Sequence, residues 1–95
     1  MAVFFLAEIE QIHDASMYER YLEAVAPIVR EHGGEYIIRS DKITPVTGDW
    51  SAKRVIVLRF DTVEAMRACF HSEAYRQIAH LRENSTVSKS LLVEE

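Results

Sequence analysis

The segment Arg54–Phe60, which reads RVIVLRF, constrains the fold of this chain more than any other stretch. It is an apolar run of strand length, rich in β-branched residues, and such a run predicts a buried strand. Side chains alternate between the two faces of a strand, and here both faces are apolar. One face carries Val55 and Val57, and the other carries Ile56, Leu58 and Phe60. Such a strand belongs in a sheet that is covered on both sides.

Three further segments predict the other strands of this sheet. The first, VFFLAEI, is rich in β-formers and too short for a helix, and the segments EYIIRS and SKSLLVEE also read as strands. The four predicted strands are Val3–Ile9, Glu35–Ser40, Arg54–Phe60 and Ser88–Glu95. The connector Asp41–Lys53 between the two middle strands is long for a hairpin loop.

A first helix is predicted where apolar residues recur at helical spacing between the first two strands. Either Asp14 or Ser16 can cap its start, and Ser16 with Glu19 fits a capping box. Pro27 falls inside the pattern and is expected to kink the helix, because it removes one backbone hydrogen bond. The pair Gly33-Gly34 ends the helix, since glycine adopts the left-handed conformation at little cost.

A second helical region is predicted after the third strand. Asp61 can cap its start, with Glu64 at the capping-box position, and Ser72 is a candidate cap for a further short helix that reaches Arg82. The order is β-α-β-β-α-β with an extra helix before the last strand, which is the ferredoxin-like split βαβ plan. We therefore predict an α+β fold in which a four-stranded antiparallel sheet carries its helices on one face.

The other face of the predicted sheet has no cover within the chain. Exposed apolar sheet faces are rarely left uncovered, and the economical cover is a second copy packed sheet against sheet. We therefore predict a homodimer. The length predicts that residues 1–95 of each chain make one domain.

Composition and charge exclude several classes of partner. The net charge is −4, and the basic residues form no run, so nothing predicts nucleic-acid binding. The single cysteine, Cys69, cannot form an intramolecular disulfide, and we interpret it as a small buried hydrophobe. The N-terminus has no basic start, and no stretch approaches the roughly 20 apolar residues of a membrane span. We expect a cytoplasmic protein with no signal peptide and no membrane contact.

The arginines of the predicted sheet need partners, because an unpaired buried charge costs several kcal/mol. Strand alternation places Arg39 with Ile37, Arg59 with Val55 and Val57, and Arg54 with Ile56 and Phe60. The carboxylates available are Glu8, Glu10, Asp49 and Glu94. An ion-pair network at a dimer interface and a site for an anionic ligand are both open interpretations.

Three tyrosines, Tyr18, Tyr21 and Tyr75, lie at helical positions that face the predicted sheet. Buried tyrosine hydroxyls need hydrogen-bond partners, which Arg82 or Arg54 could supply. The tyrosines are therefore either core residues or contacts to a ligand.

The histidines and glycines offer little further chemistry. His71 stands at the break between two predicted helices, and it either exchanges protons with a ligand or satisfies a helix end. No two histidines have the spacing of a metal site. Gly48 stands alone rather than in a phosphate-binding loop, and we expect neither a metal nor a cofactor.

Three stretches of the chain also resemble a known family. They are YERYLEAVAPIVREHGGEYIIR, GDWSAKRVIVLRF and FHSEAYRQIAHLR, and they are similar to the family called domain of unknown function 1330, within the dimeric α/β-barrel superfamily. The resemblance implies a homodimer and a cleft between the sheet and the long connector, and it implies no reaction. Two positions depart from the family pattern: Arg59 replaces a usual acidic residue, and Ser72-Glu73-Ala74-Tyr75 replaces Ser-Pro-Glu-Tyr.

The sequence supports two hypotheses of function. In the first, each protomer of the dimer binds or transforms a small anionic or aromatic metabolite, with His71 as the candidate catalytic residue. The predicted ligand-binding residues are Tyr18, Tyr21, Arg39, Trp50, Arg54, His71, Tyr75 and Arg82. In the second, the chain is a non-catalytic structural or interaction module whose polar cluster stabilises the dimer. A cavity among these residues would favour the first hypothesis, and a space filled by their side chains would exclude it.

Overall fold

Seven helices and strands follow the order β-α-β-β-α-α-β in the computed structural model, which describes residues 1–95. They are β1 (Val3–Ile12), α1 (Ala15–Glu31), β2 (Glu35–Ser40), β3 (Arg54–Phe60), α2 (Val63–Phe70), α3 (Glu73–Glu83) and β4 (Thr86–Glu94). The strands form one antiparallel sheet in the order β2-β3-β1-β4. The predicted α+β ferredoxin-like fold is confirmed, including the extra helix before the last strand. None of the helices is long and apolar enough to cross a membrane.

The helix caps settle which polar residue begins each helix. Asp14 caps α1, since its Oδ1 accepts a hydrogen bond from the Met17 backbone N–H at 3.0 Å, and the predicted Ser16 capping box is wrong because Ser16 lies inside the helix. Thr62 caps α2 in place of the predicted Asp61. Ser72 caps α3 as predicted, through the Tyr75 N–H.

Two glycines follow α1, and they have different structural roles. The helix runs without interruption through Pro27 to Glu31, and Gly33 then turns the chain with a φ of 82°, as glycine does most readily. Gly34 is required for packing, because a Cβ there would lie 2.6 Å from the side chain of Val29 and 2.8 Å from that of Phe60.

The two faces of the sheet differ in what covers them. The helices cover the face on which Phe5 pairs with Leu58, and most buried residues of the core pack there. The opposite face is formed by side chains such as Leu6 and Val57, which pair across β1 and β3. Nothing within the chain covers this second face, and its exposed apolar residues include Ile37, Ile38, Leu91 and Val93.

A β-bulge in β2 corrects the predicted orientation of Arg39. The register shifts between Tyr36 and Ile38, so that Tyr36 pairs with Leu58 and Arg39 pairs with Ile56. Both side chains therefore belong to the helix-covered face, and the prediction that Arg39 shares a face with Ile37 is wrong. The extra residue of the bulge reverses the alternation on which that prediction rested.

Arg59, on the opposite face, finds its partners within the chain. Its Nη1 lies 2.9 Å from Asp61 and 3.4 Å from Glu35. Glu8 and Glu10, which we considered as arginine partners, lie instead beside Lys89, at 4.0 Å and 3.1 Å.

The connector between β2 and β3 contains no helix or strand. It turns at Gly48, whose φ is 79°, and it joins the sheet where the Lys53 N–H donates to the Ile9 carbonyl at 2.7 Å. The side chain of Trp50, which this connector carries, is 57% exposed.

Candidate functional site

A cavity of about 390 Å³ lies between the helix-covered face of the sheet and the helices. Every strand contributes to its wall, through residues such as Phe5 on β1, Tyr36 on β2, Leu58 on β3 and Ser90 on β4. Most of the lining is apolar. No residue of the connector lines it, so the cleft that the family resemblance implied lies under the helices rather than under the connector.

Aromatic rings form much of this wall. The ring of Phe70 on α2 lies 4.7 Å from that of Phe5 and 5.1 Å from that of Tyr75, centroid to centroid. All four tyrosines of the chain line the cavity, namely Tyr18, Tyr21, Tyr36 and Tyr75. Edge-to-face arrangements such as that of Phe70 and Tyr75 hold the rings in fixed orientations.

The polar groups near β4 satisfy one another. The hydroxyls of Tyr21 and Tyr75 share a hydrogen bond of 3.0 Å, and burial together with Tyr75 raises the pKa of Tyr21. Arg82 donates to the Ser88 hydroxyl at 3.1 Å and lies 3.7 Å from the Glu83 carboxylate. Burial alone would lower the pKa of Arg82, but the nearby Tyr75 and Glu83 outweigh it and leave the pKa raised.

At the β2 end of the cavity, two arginines lie over one tyrosine ring. The guanidinium carbon of Arg39 is 4.8 Å from the centroid of Tyr36, and that of Arg30, in the last turn of α1, is 5.8 Å from it. Neither arginine forms an ion pair with a carboxylate. Burial raises the pKa of Tyr36 although both arginines act to lower it.

Two buried polar atoms at the edge of the cavity have no partner. The Tyr18 hydroxyl and the Arg54 Nε are both buried without a hydrogen bond. Other atoms of Tyr18 line the cavity. Burial raises the pKa of Tyr18, and the charge of Arg54 offsets part of the effect. Asp49, the proposed carboxylate partner of Arg54, forms no ion pair with it.

His71 reaches the cavity because α2 ends there. It caps the C-terminus of α2, its N–H donates to the Arg67 carbonyl at 2.9 Å, and Ser72 begins α3 directly afterwards. The residue is exposed and lines the cavity, so the imidazole stands between solvent and the interior. Cys69, two residues earlier, is fully buried, and burial raises the pKa of its thiol to about 11.

The structure brings six of the eight predicted ligand-binding residues to one cavity. These are Tyr18, Tyr21, Arg39, His71, Tyr75 and Arg82. Arg54, whose charge acts on Tyr18, does not line the cavity, and neither does Trp50. The sequence analysis missed Tyr36 and the rings of Phe5 and Phe70. Nowhere do three His, Cys, Asp or Glu side chains come together as a metal site requires.

The strand order and the single layer of helices define a ferredoxin-like α+β protein. The chain belongs to the family described as "Domain of unknown function (DUF1330)", which it matches over residues 2–95. This confirms the resemblance seen in the sequence. No curated protein matches the chain.

Three solved structures illustrate the fold. A protein of unknown function from Rhodopseudomonas palustris has a TM-score of 0.83 and 16% identity, over 99% of this chain and 82% of that one. A dimeric ferredoxin-like protein of unknown function from Jannaschia sp. CCS1 has a TM-score of 0.77 and 13% identity, over 100% of both chains. SnoaB, a cofactor-independent oxygenase from Streptomyces nogalater, has a TM-score of 0.72 and 15% identity, over 99% of this chain and 92% of that one. At such identities the likeness concerns the fold.

Proposed function

We propose that this chain binds a small aromatic or anionic molecule in the cavity between its sheet and its helices. The observation that carries the proposal is the cavity itself, about 390 Å³ in a chain of 95 residues. Protein interiors are close-packed and keep few voids larger than a water molecule. A mainly apolar cavity with a few polar groups at its ends is typical of a small-molecule site.

We infer that two copies pair through the uncovered face of the sheet, so that the assembly holds one cavity in each protomer. Exposed apolar residues are concentrated on that face, among them Ile38 and Leu91. The Jannaschia protein with the same fold is described as dimeric. We also infer that residues 1–95 act as one domain, because a single sheet organises all of them.

The same cavity would also suit a reaction on the bound molecule. SnoaB, which shares the fold, is described as a cofactor-independent oxygenase. A reaction without a cofactor depends on side chains that exchange protons with the substrate. His71 lines the cavity, and an imidazole is well suited to that role near neutral pH.

The alternative, a structural module, draws support from the polar groups near β4. Tyr21, Tyr75, Arg82 and Ser88 satisfy one another without any ligand. On this hypothesis the cavity is a packing defect, and filling it would only stabilise the chain.

A cavity-filling variant with a thermal-shift screen separates the two. Ala7 lines the cavity in the middle of β1, so Ala7→Leu places a larger side chain in the space that a ligand would occupy. The screen covers organic acids, quinones and heme, each added to the wild type and the variant. At a concentration about a hundred times its Kd, a ligand stabilises the native state by about 2.7 kcal/mol. In a domain of this size that raises the Tm by roughly 10 °C or more.

We expect at least one compound to raise the Tm of the wild type and to lose its effect on Ala7→Leu. The matched control is Ala68→Leu, an exposed position on α2 that does not line the cavity, and it should respond like the wild type. If no compound shifts the wild type, or if Ala7→Leu responds equally, the ligand-binding proposal fails and the structural module is favoured.

A further inference from the structure

We propose that the β2 end of the cavity recognises an anion, and that the ligand is an aromatic carboxylate. Its charge would lie beside Arg39, which lines the cavity, and its ring would lie between the aromatic walls; Arg30 lies near the same tyrosine ring but does not line the cavity. This inference rests on the proposed function and adds the class of ligand and its direction in the site.

The arginines of this chain differ in whether a carboxylate lies beside them. The chain carries a net charge of −4, and three of its arginines have carboxylate partners, namely Arg59, Arg76 and Arg82. Arg30 and Arg39 have none, yet they converge on the same tyrosine ring. Both charges near this ring lack a counter-charge within the chain, and an anion placed beside Arg39 would supply one.

The direction of the ligand follows from the two ends of the cavity. Arg82, near β4, already has Ser88 and Glu83 as partners. Arg39, near β2, is exposed, lines the cavity and forms no hydrogen bond with the protein. Of the two arginines that line the cavity, only Arg39 therefore lacks a partner within the chain.

The class of ligand follows from the shape of the groups. A guanidinium is planar and can donate two parallel hydrogen bonds to a carboxylate. The wall next to it is the ring of Tyr36, and the interior beyond is bounded by Phe5 and Phe70, whose rings lie 4.7 Å apart. Aromatic rings of a ligand would stack or meet these rings edge to face. An aromatic carboxylate satisfies both ends of this arrangement.

The experiment compares two probes with the same ring system and nearly the same shape, one carrying a carboxylate and the other an uncharged amide. Binding of 2-naphthoate and of the uncharged 2-naphthamide is measured by calorimetry with the wild-type chain. We expect the wild type to prefer 2-naphthoate by about fivefold, since a partly exposed ion pair contributes on the order of 1 kcal/mol. The variant Arg39→Gln should lose most of this preference and bind 2-naphthamide within about twofold of the wild type.

The matched control is Arg20→Gln, which removes the same charge from an exposed position of α1 that does not line the cavity. It should keep the preference for 2-naphthoate. Neither arginine forms a hydrogen bond or an ion pair within the chain, so both variants should fold, and the Tm of each checks this. A small change in Tm is expected for Arg39→Gln alone, because it also loses its contact with the Tyr36 ring.

Three results would overturn the inference. They are equal affinity of the wild type for both probes, binding of neither probe at millimolar concentration, and an equal effect of Arg20→Gln and Arg39→Gln. None of these results contradicts the proposed function, which is tested by the thermal-shift screen with Ala7→Leu. Suppose that a compound raises the Tm of the wild type but not that of Ala7→Leu, and that the wild type shows no preference for the carboxylate. The cavity would then remain a binding site, but its β2 end would not be an anion-binding end.

Discussion

Removal of one hydroxyl from this chain should make it more stable. The Tyr18 residue is 4% exposed, and its hydroxyl is buried without a hydrogen-bond partner. The Tyr21 hydroxyl, one turn further along α1, is buried too but bonds to Tyr75 at 3.0 Å. The substitutions Tyr18→Phe and Tyr21→Phe therefore remove the same atom from the same helix, and only one of them breaks a hydrogen bond.

The two expected changes in the free energy of unfolding have opposite signs. An unpaired buried hydroxyl costs about 1–3 kcal/mol. Taking the low end of this range, we expect Tyr18→Phe to stabilise by about 1 kcal/mol. Tyr21→Phe loses a bond worth about 1 kcal/mol net. The void left by the missing oxygen is common to both, so the difference between the variants, about 2 kcal/mol, is the more robust quantity.

The assay is urea unfolding at pH 7, with all three proteins at one concentration because a dimer's stability depends on it. With a slope of about 2 kcal/mol per molar urea, the two variants should differ by about 1 M in midpoint. The slopes should agree, which shows that the same surface is exposed on unfolding.

An equal loss of stability in both variants would refute the reasoning. That result would mean that the Tyr18 hydroxyl has a partner in solution, either an ordered water or a group from a second chain. Sedimentation of each variant distinguishes these two sources, since only the second couples stability to association.

Two further predictions concern assembly and pH. Sedimentation at micromolar concentration should give the mass of two chains, and Leu91→Lys, on the uncovered face, should give the mass of one because a buried charge opposes sheet-to-sheet packing; a single-chain mass for the wild type would contradict the dimer. Stability should fall as the pH rises above about 9. Burial raises the pKa of Cys69 from 9.0 to about 11 and raises that of Tyr18 and Tyr36, so the unfolded chain loses these protons first. Urea unfolding between pH 7 and 11 tests this, and Cys69→Ala should flatten the fall between pH 9 and 11; an unchanged slope would contradict the assignment.

The regular parts of the fold were predictable because local signals agreed with the tertiary structure. The bounds of β2 and β3 match the predicted segments, since turn residues flank apolar runs of strand length. The strand β1 continues to Ile12, beyond the predicted Ile9, because β4 pairs with it past a second register shift. No local pattern signals that extension, as the added residues Gln11 and Ile12 are exposed.

The caps show where local chemistry is ambiguous. Asp61 and Thr62 are both good N-cap residues, and the sequence favours Asp61 through the position of Glu64. The structure instead pairs Asp61 with Arg59 at 2.9 Å and leaves the cap to Thr62. Local propensity ranks the two residues equally, and the one that pairs with Arg59, two residues earlier in the chain, is not the cap.

The candidate site was predictable as far as helical periodicity reaches. Tyr18, Tyr21 and Tyr75 recur on helix faces directed at the sheet, and the structure places all three in one cavity. The connector has no periodicity, so nothing in the sequence fixes where Trp50 lies, and its aromatic character alone suggested a ligand contact. Its 57% exposure reflects a loop whose position depends on contacts that no local rule describes.

The bulge in β2 explains why Arg39 was predicted for the site but on the wrong face of the sheet, and why the neighbouring Tyr36 was missed. In a regular strand, residues three apart lie on opposite faces, so Tyr36 and Arg39 should be separated by the sheet. The register shift adds one residue between them and brings both to the helix-covered face, where Arg39 lies 4.8 Å from the Tyr36 ring. Bulges of this kind often re-aim side chains beside functional sites. The anion-binding end that we propose therefore depends on a backbone irregularity, while the apolar body of the cavity depends on ordinary strand and helix periodicity.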